Sequence, residues 1–307
     1  MRNRIEISGS GGPANPGRRQ FLKCALLAAG AGSGFSALAA RGGFEIGCWT
    51  RPWAKFDYPA AFDGIAGAGY KNIGLMSMTL NGKPTGINHD STPEQIAEIA
   101  RQVRQRKLKT ISVWAGTFPF QKSVEQGVAG LKRVIDHCAQ FGSRSLLLGG
   151  VSRPEQAGPY YKVVAECCPY AATRKVVLSV KPHGGTNATG AQCRKLVEQV
   201  GHKNFGIFYD PGNIFYYSNG TINPVDDAPS VNGVVVGVTV KDFRMPKEVM
   251  LTPGTGMVNF KDVLARLRKG GFTRGPLIVE CLDQGDLAHL NAEARKARLF
   301  VEGLVKG

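Results

Sequence analysis

The sequence predicts an α/β fold, a single closed (β/α)8 barrel with eight parallel strands, and two observations carry that prediction. From Phe44 onward, short apolar runs alternate with amphipathic segments at intervals of roughly 30 residues, the rhythm of parallel strands joined by helices. In the C-terminal half, four such runs (VVLSV, FGIFY, VVVGVTV and PLIV) lead into Lys181-Pro182-His183, Asp210-Pro211-Gly212-Asn213, Lys241-Asp242 and Glu280. Short β-branched or aromatic runs read as strands covered on both faces. Polar groups at the carboxyl ends of successive parallel strands converge on one mouth, where a barrel keeps its chemistry.

The elements follow in order as strand 44–49, helix 58–68, strand 71–76, helix 92–106, strand 109–114, helix 123–141, strand 144–149 and helix 159–174. The second half continues with strand 176–181, helix 189–200, strand 205–210, a short helical turn near 224–230, strand 234–241, helix 259–269, strand 276–281 and helix 287–305. Ser91-Thr92-Pro93-Glu94 supplies a capping hydroxyl, a first-turn proline and an early carboxylate. Gly69, Gly142 and Gly270-Gly271 stand just past helix ends, where a left-handed residue is wanted, and Asn259 is placed to cap the helix from Phe260. A doubly wound open sheet is the competing architecture. It is disfavoured because no Gly-x-Gly-x-x-Gly turn follows the first strand and eight units exceed its usual six.

Residues 1–40 are set aside as a targeting segment. Arg18-Arg19-Gln20-Phe21-Leu22-Lys23 precedes an apolar stretch from Cys24 to Ala40, rich in Gly and Ala and ending in small residues, which reads as a twin-arginine export signal cleaved near Ala39 or Ala40. The alternative is an uncleaved membrane anchor, the one route by which this chain is expected to meet a membrane. Residues 41–307 then form the barrel domain, and the expected location is the periplasm. Loss of five basic residues and one acid lowers the formal charge from +16 to +12. The remaining positive residues, such as Arg101, Arg104, Arg106, Lys107 and Lys109, are scattered on helices without interleaved aromatics. They read as a solvated helix face, and no nucleic-acid partner is expected. None of the six cysteines left after Cys24 has a C-x-x-C partner, so buried thiols are expected rather than a zinc cluster.

Strand alternation selects the residues that share a face. Val177, Ser179 and Lys181 form one set, Gly206, Phe208 and Asp210 a second, and Ile278 and Glu280 a third. If these faces point inward, one cation and two carboxylates meet at the mouth. Asp210 before Pro-Gly-Asn reads as a carboxylate aimed inward by a turn, or as a brace for that turn. A carboxylate ending an apolar strand, as Glu280 does, needs a cation or a metal. His183 is a ligand, a proton shuttle or a donor that orders its loop. Lys241 and Asp242 form a substrate-facing amine with a bracing carboxylate, or only a local ion pair. The turns Gly184-Gly185-Thr186 and Pro253-Gly254-Thr255-Gly256 offer backbone N–H groups to a phosphate, or are plain tight loops. Trp49, Trp53 and Trp114 lie at or just after strand ends, as an aromatic wall for a sugar ring or as barrel core. Asn213, Lys241, Trp49 and Trp114 are thus the candidate substrate contacts.

The strand-end series resembles the xylose isomerase-like TIM barrel family, the sugar phosphate isomerases and epimerases together with sugar dehydratases and an AP endonuclease branch. The resemblance is carried by FYDPGN (208–213), VKD (240–242) and GTGMVNFKDVLARLRKGGFTRGPLIVE (254–280). It implies a divalent metal (Mn, Mg, Co or Zn) held by Glu, Asp, His and Glu at the ends of strands five to eight. Asp210 and Glu280 match the sixth and eighth positions, whereas Lys181 and Thr239 stand at the fifth and seventh. Either the Lys181 ammonium replaces the cation, or His183 joins Asp210 and Glu280 in a reduced metal site. The implied activity is isomerisation or epimerisation of a keto-sugar, with Glu280 as base and Lys181, His183 or a metal stabilising an enediolate. The alternatives are a lyase or dehydratase on an oxidised sugar and a barrel that binds carbohydrate without turning it over. A small-molecule carbohydrate is the expected partner.

Overall fold

The computed structural model describes residues 43–306. The expected export signal, residues 1–40 with Arg18-Arg19, lies outside the described residues. Among the described residues, ten strands are present: β1 (Phe44–Trp49), β2 (Asn72–Leu75), β3 (Met78–Leu80), β4 (Lys83–Thr85), β5 (Lys109–Trp114), β6 (Ser145–Leu148), β7 (Val177–Val180), β8 (Phe205–Tyr209), β9 (Val235–Val240) and β10 (Gly275–Val279). Eight of them close into a parallel barrel in the order β1-β10-β9-β8-β7-β6-β5-β2, with β2 returning to pair with β1. The helices are α1 (Tyr58–Gly67), α2 (Pro93–Gln105), α3 (Val124–Gln140), α4 (Pro154–Thr173), α5 (Gly190–Val200), α6 (Pro211–Tyr217), α7 (Pro224–Asp227), α8 (Phe260–Lys269) and α9 (Leu287–Lys306). No helix among the described residues is long and apolar enough to cross a membrane.

Most boundaries fall where local chemistry puts them. Thr92 and Gln95 form a reciprocal capping box at the start of α2, and the Asn259 side chain accepts the Asp262 N–H at the start of α8. Gly69 and Gly142 take the left-handed backbone that closes α1 and α3, at φ +91° and +73°. Along α8, Phe260, Val263, Leu264 and Leu267 follow helical spacing and are buried. Each such side chain contributes about 1.5–3 kcal/mol when fully removed from water.

Three features differ from expectation. α4 begins at Pro154 rather than at 159, because Pro154 occupies the first turn and Pro159 and Pro169 are carried inside the helix. β3 and β4 form an antiparallel hairpin outside the barrel, turned by Asn81 and Gly82 at φ +50° and +73°. Asp210-Pro211-Gly212-Asn213 opens the helix α6 instead of making a loop, with Pro211 in its first turn.

The barrel interior is filled by Trp49, Ile111, Leu147, Phe208 and Ile278, from β1, β5, β6, β8 and β10. Two residues further along, the same inward face carries Asp210 beyond Phe208 and Glu280 beyond Ile278. The apolar plug therefore forms the floor beneath the polar mouth. Trp49 belongs to that floor: it is wholly buried, its ring 6.3 Å from Phe208. Of its two readings at the sequence level, barrel core is the one the structure supports, and the expected contact with a sugar ring is corrected. All six cysteines among the described residues are buried free thiols.

Candidate functional site

Two carboxylates and two ammonium groups interlock at the mouth. Lys181 Nζ lies 3.1 Å from Asp210 Oδ2 and 2.5 Å from Glu280 Oε2. Lys241 Nζ lies 3.3 Å from the same Asp210 oxygen and 2.6 Å from Glu280 Oε1. Each carboxylate thus touches both ammonium groups. Relative exposure is 1% for Lys181, 0% for Asp210 and 3% for both Lys241 and Glu280, so these contacts operate away from bulk water. A third cation, Arg51, stands in the short 3₁₀ helix Arg51–Trp53 just after β1, with Nη1 3.3 Å from Glu280 Oε1 and 2.6 Å from Cys281 Sγ.

Each side chain is held by the way its strand ends. Asp210 caps α6: its Oδ1 accepts the Asn213 N–H at 3.0 Å, which leaves Oδ2 for the two lysines. The helix N-terminus also favours the carboxylate charge. α6 packs so closely on the end of β9 that a Cβ on Gly212 would sit 2.6 Å from the Lys241 carbonyl oxygen. Asn213 is buried beneath the mouth, donating to the Pro182 carbonyl at 2.6 Å and accepting from Lys241 at 3.1 Å. The substrate contact expected of Asn213 is therefore corrected, since both ends of its amide are engaged within the protein. Lys241 ion-pairs with Glu280 and Asp210 and donates to Asn213, which makes it part of the clamp rather than an outward amine. Lys181 has two carboxylate partners and faces the Trp114 ring at 5.2 Å from its centroid.

Asp242 does not pair with Lys241. Its carboxylate accepts the backbone N–H groups of Phe243, Gly254, Gly256 and Val258 at 2.8–3.1 Å. The glycine-rich turn at 253–256 thus directs its N–H groups to an internal carboxylate, not to a phosphate. Asp242 is the anchor of the long connection between β9 and α8.

His183 lies beside the cluster rather than in it. Its ring packs 5.4 Å from Trp114 and 5.9 Å from Tyr217, and its backbone N–H donates to the Asn187 carbonyl at 2.8 Å. Burial, then the nearby Lys181 and Lys241, lower the imidazole to about 4, so it is neutral at pH 7. For Glu280, burial pushes the carboxyl up, but Lys181, Lys241 and Arg51 together outweigh it and hold the group well below the ordinary carboxylate range. Burial likewise works against the Lys241 charge, and Asp210 and Glu280 reverse the effect, raising it above the ordinary lysine value. The Cys281 thiol, raised chiefly by burial to about 11, stays protonated beside Arg51.

These residues do not fit a divalent metal. Lys181 and Thr239 occupy two of the four positions where the family resemblance implies ligands, and the inward oxygens of Asp210 and Glu280 already face ammonium groups. A divalent cation placed among three positive side chains would be repelled at close range. Among the described residues, no three His, Cys, Asp or Glu side chains gather where they could hold an ion. The reduced set of Asp210, Glu280 and His183 is therefore not assembled, because Lys181 fills the space between the carboxylates.

A family model for xylose isomerase-like TIM barrels matches residues 62–303. The chain belongs to that family. Among solved structures it resembles the xylose isomerase domain protein from Planctomyces limnophilus (18% identity, TM-score 0.64, covering 87% of this chain and 98% of that one). It also resembles a D-psicose 3-epimerase from Clostridium cellulolyticum H10, solved with D-tagatose (12%, TM-score 0.66, 85% and 99%). A third likeness is to a D-allulose 3-epimerase from Methylomonas sp., solved in complex with D-allulose (18%, TM-score 0.65, 86% and 98%). At these identities the likeness establishes the shared barrel. No curated protein matches the sequence.

Three residues at the mouth were not singled out by strand-end reasoning. Arg51 lies two residues past the end of β1, and the rule that drew attention to Lys181 and Lys241 applies to it equally. Tyr217 sits on α6, where Asp-Pro-Gly-Asn alone reads as a turn. Asn187, buried, donates to the carbonyls of Gly149 and Lys181 at 3.0 and 2.7 Å and ties the loops after β6 and β7 together.

Proposed function

We propose that this chain is an exported, sugar isomerase- or epimerase-like enzyme that moves a proton on the carbon beside the carbonyl of a keto-sugar. The observation that carries the reading is the interlocked pair of carboxylates and ammonium groups at the barrel mouth. Removing that proton places negative charge on the carbonyl oxygen, and an ammonium group in a dry site stabilises it. Lys181, beside the Trp114 ring, supplies that charge, and Lys241 holds the carboxylates in place. Glu280 receives the proton. A substrate oxygen that draws Lys181 away from Glu280 removes a charge-assisted hydrogen bond, so the carboxylate becomes more basic as the substrate seats. His183, neutral and flanked by Trp114 and Tyr217, is suited to orient a sugar hydroxyl. The family match and the relatives solved with D-tagatose and D-allulose support a keto-sugar as the substrate class.

A second reading has its own support. The cluster is largely satisfied by its own ion pairs, as expected of a barrel that binds carbohydrate along Trp114, His183 and Tyr217 without turning it over. A lyase acting on an oxidised sugar would use the same proton removal. Export rests on Arg18-Arg19 and the apolar run behind it, with the barrel acting in the periplasm as residues 41–307.

Incubation with D-fructose, D-tagatose or D-allulose in D2O, followed by NMR, tests the reaction. The catalytic reading expects solvent deuterium at the carbon next to the carbonyl, and loss of that exchange in Glu280→Gln folded by circular dichroism. Binding with no exchange for any keto-sugar would leave the carbohydrate-binding barrel as the correct account.

A further inference from the structure

Among the described residues, the mouth holds three cations, Lys181, Lys241 and Arg51, against two carboxylates, Asp210 and Glu280. His183 is neutral there, and Asp242 spends its charge on four backbone N–H groups of its own loop. One positive charge is therefore in excess in a site with little water to screen it. Arg51 is the most open of the three cations, with 34% side-chain exposure against 1% and 4% for the lysines. Its hydrogen bonds among the described residues all run through Nη1, to Glu280 and Cys281, which leaves Nε and Nη2 without acceptors there. Two donors of a planar fork that lack acceptors match the two oxygens of a carboxylate.

We propose that Arg51 is a specificity-determining residue that binds the carboxylate of a sugar acid, so that the substrate is an oxidised keto-sugar rather than a neutral one. The inference rests on the keto-sugar reading above and deepens it. A single carboxylate cancels the excess of one charge, whereas a phosphate monoester, at about −1.5 to −2, reverses its sign. The sugar ring then extends from Arg51 across the cluster toward Trp114 and His183, and the carbonyl falls near Lys181.

The test is calorimetric titration of the full chain with 2-keto-D-gluconate, D-fructose and D-fructose 6-phosphate, all in EDTA. The keto acid is expected to bind at least about tenfold more tightly than either of the others, as one charge-assisted fork is worth. Arg51→Gln should lose about that factor for the keto acid alone, and Arg51→Lys should recover part of it. Equal affinity for D-fructose, preference for the phosphate, no binding of any probe, or an Arg51→Gln loss shared equally by acid and neutral sugar would each overturn the inference. Deuterium exchange on the bound ligand is scored separately: acid-selective binding without exchange counts against turnover and not against the role of Arg51.

Discussion

Replacing Lys181 with Met keeps the length of the side chain and removes the charge that sits between Asp210 and Glu280. In the variant, Glu280 Oε2 loses its ammonium partner at 2.5 Å, and Asp210 Oδ2 keeps only Lys241 at 3.3 Å. A buried charged acceptor left short of partners costs about 3 kcal/mol, toward the lower end of what breaking a buried ion pair costs, because Lys241 and Arg51 still balance the two carboxylates. At roughly 2–4 °C per kcal/mol for a domain of this size, the melting temperature should fall by roughly 6–12 °C. The charge count also fixes a ranking. Glu280→Gln leaves three cations facing one carboxylate and should be the more destabilising of the two, while Lys181→Met/Glu280→Gln should be less destabilising than the sum of the single changes. Urea denaturation at pH 7 measures all three. A Lys181→Met loss below about 1 kcal/mol, or a larger loss than for Glu280→Gln, would refute the clamp as the organising feature of the mouth.

Four further outcomes follow from the same geometry. His183 should titrate near 4 by NMR, and its midpoint should rise in Lys181→Met; because its folded value lies below that of the unfolded chain, its contribution to stability is complete above about 6.5 and is lost as pH falls through 4. Asp242→Asn should cost roughly 1–3 kcal/mol and speed proteolysis within residues 243–258, since the amide cannot accept all four N–H groups that the carboxylate holds. Trp49→Ala should cost about 3–5 kcal/mol by opening the barrel floor. Trp114→Ala should be milder in stability and should weaken keto-sugar binding in the same titrations.

The barrel was legible because each of its units is announced locally. The β-branched runs, the capping residues at Thr92 and Asn259 and the glycines at 69 and 142 all agree with the parallel sheet that tertiary packing completes. The hairpin β3–β4 carries an Asn-Gly signal of its own, yet its strands are three residues long and Pro84 interrupts the pattern, so period alone does not reveal it. α6 is hidden for another reason. Asp-Pro-Gly-Asn is equally good turn and helix-start chemistry, and only packing against β9 decides between them. At the site, alternation located Lys181, Asp210 and Glu280 correctly on one face. It gave no information on how many hydrogen bonds Asn213 and Lys241 would spend inside the protein, because that depends on partners some thirty residues away in sequence and adjacent only once the barrel closes.

That distinction explains why the place of the site is firmer than its chemistry. Parallel strands deliver their last residues to one mouth whatever those residues are, so location follows from topology. Charge does not. A Lys at the end of the fifth strand, viewed alone, is one ammonium opposite one carboxylate; viewed with Lys241 and Arg51, it belongs to a set that outnumbers Asp210 and Glu280. The two retained carboxylates then serve to hold ammonium groups in position, which leaves Arg51, at the open side, as the cation whose charge the protein does not itself neutralise. A mouth of that sign favours an anionic group before any bond is made or broken.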